Sequence, residues 1–98
     1  MSAPRRDAGA VVALLDRAMS DAARERTAGD VAAVDIHVAF LHDAGGPVTA
    51  AARVCGGGKS VCFCEAEITD TAGRVVARAM GTFRRCPASL SSPTASVS

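Results

Sequence analysis

A chain of 98 residues, 49% of them hydrophobic and 21% charged, has the size and composition of one folded domain. Its formal net charge of +1, with no basic run interleaved with aromatics, argues against a nucleic-acid partner. No apolar stretch approaches the ~18 residues of a membrane span and no signal-peptide core follows Met1, so the sequence reads as cytoplasmic, with its cysteines reduced.

The apolar residues are small. There are three Phe and no Trp or Tyr, which leaves Ala and Val to fill the core. A domain of this length buries only about 60–65% of its unfolded surface. Small side chains add little area each, at about 25 cal/mol per Å². A partner subunit would relieve that shortage.

Residues 1–7 are polar and Pro-containing and read as a flexible lead-in, in which Asp7 suits a helix N-cap. From Ala8 the period is helical. Ala8, Val11, Val12, Leu15, Met19, Ala22 and Ala23 fall on one face and Arg17, Asp21 and Arg24 on the other. The pattern fades at Arg26–Thr27, and Gly29 is the expected stop.

The period then switches to two. In AAVDIHVAFL, Val34, Ile36, Val38 and Phe40 alternate with Asp35, His37 and Ala39. Turn residues 43–47 lead to a strand from Val48 to Cys55, and Gly56–Lys59 turns into a strand from Ser60 to Thr69. Asp70–Gly73 turns into the last strand, Arg74 to Phe83, and residues 87–98 read as a disordered tail. The plan is α+β: one helix, then an antiparallel meander of four strands curled around it, in a domain of residues 8–86.

Four stretches in this order resemble the hotdog-fold acyl-CoA thioesterases, in particular the phenylacetate-pathway, PaaI-like branch. They are the helix GAVVALLDRAMS, the strand VDIHVAFL, the hairpin ARVCGGGKSVCFCEAEI and the closing DTAGRVVARAMGTF. The likeness runs from Ala8 to Arg84 and implies a hotdog fold, an antiparallel sheet curled around one central helix. Members of the family begin with a further helical segment and strand, then a His-Gly-Gly turn. Here that turn reads Asp7–Ala8–Gly9, where only Gly9 matches, so the domain is expected to be N-terminally shortened.

The resemblance implies hydrolysis of acyl-CoA to free acid and CoA in a homodimer or homotetramer, without cofactor or metal. Thioester hydrolysis needs an activated water or a nucleophilic carboxylate, and donors for the oxyanion. Asp16, at the rim of the apolar stripe, matches the family's helical acid as general base or nucleophile. Gly9 matches the backbone donor at the helix N-terminus. Gly57, Gly58, Lys59 and Ser60 match the turn lying along the CoA tail, with Arg84 and Arg85 as further cations. An Asp in place of the His puts negative charge where an oxyanion must form, which argues for lowered activity. The alternative is therefore a catalytically impaired hotdog remnant that binds acyl-CoA or a partner subunit.

Other motifs carry less. Gly56–Lys59 precedes a strand and lacks P-loop spacing. Cys55, Cys62, Cys64 and Cys86 have no C-x2-C knuckle, and Cys62 and Cys64, on one side of a strand with Ala66 and Ile68, read as small core or interface residues. A His37–Asp35 dyad lacks a nucleophile tied to it, so His37 reads as an interface or surface residue. Hydration or dehydration of an acyl thioester on a related scaffold normally needs a His beside the acid and ranks last.

Overall fold

The computed structural model describes residues 8–43 and 45–87. The expected lead-in, the Asp7 cap and all of the expected tail but Pro87 lie outside them. One helix, α1 (Ala8–Thr27), is followed by four strands: β1 (Val31–Phe40), β2 (Val48–Gly57), β3 (Val61–Asp70) and β4 (Val75–Arg85).

The helix forms over the whole predicted span because every fourth residue can be buried. Val11, Leu15, Met19, Ala23 and Thr27 make one buried stripe. The helix ends one residue before its expected glycine stop. Ala28, not Gly29, takes the left-handed conformation (φ 59°), and its N–H closes on the Arg24 carbonyl at 2.8 Å. Thr27 is buried, and its hydroxyl lies 3.1 Å from the Ala23 carbonyl and 3.2 Å from that of Gly29.

All strand pairs are antiparallel, but the sheet is not a simple meander. Its order is β1-β4-β3-β2, so β2, β3 and β4 are consecutive neighbours and β1 returns beside β4. Residues 41–47 therefore join opposite edges, three strand spacings or roughly 14 Å apart. Seven extended residues can span up to roughly 23 Å, so the crossing is easy. Period-two patterning states which face is buried; it does not name the neighbour.

The helix lies on one face. Beneath it sit Cys62, Cys64, Ala66 and Ile68 of β3 and Ala77, Ala79 and Phe83 of β4, all buried. Gly81 completes the row on β4: a Cβ there would stand 3.0 Å from the Phe83 ring. The expected pairing of Cys62 and Cys64 with Ala66 and Ile68 on one side is what the strand shows.

Two bulges shift the predicted faces. The register slips between Ala33 and Asp35, which takes Val34 out of line with Ile36, Val38 and Phe40 and leaves it 57% exposed. A second slip between Val54 and Gly56 carries β2 on to Gly57, so the expected turn at Gly56–Lys59 starts later.

Candidate functional site

Asp16 is half-buried on α1. At 100° per residue it shares a flank with Val12 and Ser20, one step round from the buried stripe. The opposite flank carries Leu14, Ala18 and Ala22, which line a groove of about 430 Å³ with Ala50 and Ala52 of β2. The Asp16 flank consequently faces the other side of the sheet, toward β1. There Ile36 and Val38 are half-buried and Phe40 is 54% exposed, although all three pair with helix-facing residues of β4. The acid thus stands above an apolar edge that the helix leaves partly open.

The immediate partner of the acid is a hydroxyl. Ser20 Oγ donates to Asp16 Oδ1 at 3.2 Å, one helical turn on. Other acidic side chains pair with arginine: Asp21 and Asp30 with Arg24, Glu65 with Arg53, Glu67 with Arg78 and Asp70 with Arg74. Among the described residues no cation pairs with Asp16. Its spacing of four from Ser20 was the sequence signal for this contact.

Gly9 lies in the first turn of α1 on the Asp16 flank, seven residues earlier, or about 10 Å along the axis. Gly57, Gly58, Lys59 and Ser60 lie at the other end. Arg26, ten residues after Asp16 and so about 15 Å along the axis, donates to the Gly57 carbonyl at 3.1 Å. Arg84 and Arg85 of β4 lie beside this turn through their backbone. The backbone N–H of Arg85 donates to the Ser60 carbonyl at 2.8 Å, and Arg84 stands opposite Val61. Arg26 was not legible as part of this group, because nothing local links position 26 to position 57.

The turn itself depends on Gly57, whose φ is +92° and whose missing Cβ would sit 2.5 Å from the Val61 carbonyl oxygen. Lys59 is exposed, and Gly58 has open space around it.

Asp35 and His37 pair with Thr82 and Met80 on the sheet face away from the helix. Both are exposed and not hydrogen-bonded to each other, and the sheet separates them from Asp16. A second depression, of about 260 Å³, lies along Arg53 and Glu65 and likewise holds no predicted site residue. Among the described residues no three His, Cys, Asp or Glu side chains are grouped to hold a metal ion. No described helix is long and apolar enough to cross a membrane.

The Thioesterase superfamily model matches residues 8–77. The chain belongs to that family. The structure is likewise similar to solved ones. It is similar to AziG of S. sahachiroi, at 25% identity and TM-score 0.75, covering 87% of this chain and 72% of that one. It is also similar to the E. coli PaaI protein of the phenylacetic acid degradation operon, at 24% identity and TM-score 0.74, over 85% and 61% of the two chains. A third is the BH2602 protein of Bacillus halodurans, whose structure contains CoA, at 20% identity and TM-score 0.76, over 82% and 58%. No curated protein matches. The fold of this superfamily member is the α+β hotdog fold, one helix packed on a four-stranded antiparallel sheet. The chain spans 58% to 72% of the length of these three structures.

Proposed function

We propose that this thioesterase-superfamily chain hydrolyses acyl-CoA to free acid and CoA in the cytoplasm, with Asp16 as general base or nucleophile. One observation carries the reading. Asp16 is a half-buried carboxylate without a cationic partner among the described residues, set on the helix flank that overlooks the open β1 edge. A carboxylate so placed can take a proton from water, or attack a thioester carbon itself, without first being drawn out of an ion pair. The Bacillus halodurans protein with CoA supports the substrate class.

The reading also requires a second copy. Gly9 and Asp16 are about 10 Å apart along one helix, too far for one carbonyl to meet both at about 3 Å. Across a two-fold axis at the β1 edge, antiparallel helices would set Asp16 of one copy against the Gly9 turn of the other. The positive end of the helix dipole at Gly9 would then stabilise the oxyanion. The neighbour's Gly57–Ser60 turn, with Lys59, would lie along the phosphate-bearing tail of CoA. A homodimer is the minimum unit; a homotetramer serves equally.

The test is thioester cleavage by the chain and by Asp16→Ala, across short, long and aryl acyl-CoAs. The substitution should lower kcat at least about 100-fold. Equal rates, or no cleavage by either protein, would remove the catalytic reading. Binding of acyl-CoA without cleavage would favour the impaired remnant instead. The hydratase reading finds no support in the position of His37, on the far face of the sheet.

A further inference from the structure

We infer that Arg26 is a positioning residue for the tail of CoA: from the last turn of α1 it holds the Gly57–Ser60 turn in the shape that presents Lys59. This rests on the thioesterase reading. The need for a brace lies in the turn itself. Gly56, Gly57 and Gly58 follow one another, and glycine loses more conformational freedom on ordering than any other residue. Left to itself such a turn would sample many shapes, and each would carry Lys59 to a different place.

Two backbone bonds join the turn to the strands that follow it. The Gly58 N–H donates to the Val61 carbonyl at 2.8 Å, and the backbone N–H of Arg85 donates to the Ser60 carbonyl at 2.8 Å. A third bond comes from the helix, where Arg26 Nη2 donates to the Gly57 carbonyl at 3.1 Å, across 31 residues of chain. Its acceptor sets Arg26 apart. Arg24, Arg53, Arg74 and Arg78 bond carboxylates, so each ties one side chain to another. Arg26 bonds a main-chain carbonyl and so restrains the backbone itself, at the residue whose φ of +92° turns the chain. The helix is packed on the sheet through its buried stripe, which makes it a fixed point from which to hold a glycine turn.

The experiment compares Arg26→Ala, Arg26→Lys, Lys59→Ala and the Arg26→Ala/Lys59→Ala double variant. The substrates are an acyl-CoA and the N-acetylcysteamine thioester of the same acid, which lacks the nucleotide and its phosphates. Arg26 is exposed and alanine is the better helix former, so Arg26→Ala should fold as the parent chain does. On acyl-CoA it should raise KM about fivefold and leave kcat within about twofold, because Asp16 and the reacting carbonyl are untouched. On the short thioester both constants should stay within about twofold, which a general loss of structure would not give. Arg26→Lys, a charged donor of shorter reach, should recover part of the loss. Because Arg26 acts through the turn, its removal from Lys59→Ala should add less than about twofold in KM.

Two readouts do not depend on turnover. Calorimetry with CoA alone should give a Kd about fivefold higher in Arg26→Ala. Amide exchange should quicken at Gly58 and Lys59 in that variant, while the amides of the buried helix stripe keep their protection. If the parent chain binds CoA and cleaves no acyl-CoA, the hydrolytic reading fails, and these two measurements still decide the role of Arg26. A parent chain that binds no CoA overturns the inference. So does Arg26→Ala with an unchanged Kd for CoA, with unchanged exchange in the turn, or with a loss fully additive to that of Lys59→Ala.

Discussion

The guanidinium of Arg26 donates to the carbonyl of Gly57 at 3.1 Å, tying the last turn of the helix to the hairpin between β2 and β3. That hairpin tolerates only glycine at position 57. An alanine there would take a strained positive φ, costing about 1–3 kcal/mol by itself. Its methyl group would also stand 2.5 Å from the Val61 carbonyl oxygen and 2.7 Å from the Cys62 Cα. Gly57→Ala should therefore lower the denaturant midpoint sharply, whereas Gly58→Ala, with open space, should stay within about 0.5 kcal/mol of the parent.

The helix stop offers the opposite sign. Ala28 holds a φ of 59°, which an L-residue adopts at a cost and glycine does not. Ala28→Gly should stabilise the chain by about 1 kcal/mol after the added freedom of the unfolded glycine is counted. Thermal melting of the two proteins checks it.

Leu15 is fully buried at the centre of the helix stripe, over a layer made largely of alanine and cysteine. Few neighbours are large enough to fill a vacancy. Leu15→Ala should cost about 2–5 kcal/mol, read as a loss in urea midpoint.

Burial, reinforced by neighbouring Cys62, pushes the Cys64 thiol up from 9.0 to about 12. The folded chain keeps this proton while the unfolded chain releases it near pH 9.0. Stability from this group is thus complete below that pH and is lost as pH rises toward 12. Alkaline unfolding should show this decline, and Cys64→Val should flatten it. At pH 8, iodoacetamide should alkylate exposed Cys55 while Cys62 and Cys64 react only after unfolding, as mass spectrometry of the digested protein would show.

If the site is completed by a second copy, light scattering should give at least twice the chain mass, and dilution that dissociates the assembly should abolish cleavage. A monomer with full activity would contradict the shared site.

The sequence by itself determined the elements. A stripe recurring every fourth residue, Val11, Leu15, Met19, Ala23, set the helix from Ala8 to Thr27, because each turn needs one apolar residue toward the sheet. Alternation set the strands to within two or three residues and placed Cys62 and Cys64 inward, because successive strand residues point to opposite faces. Asp16 and Lys59 stood out only by resemblance. What the tertiary structure decided was neighbourhood. The return of β1 to β4, the bulge that takes Val34 out of line and the convergence of Arg26 and Arg85 on the Gly57–Ser60 turn all join positions far apart in the chain. Periodicity records whether a side chain is buried, whereas register, chain crossing and bulges select what it is buried against. Only that selection shows Asp16 overlooking an open edge, about 15 Å along the helix from the turn that Arg26 contacts.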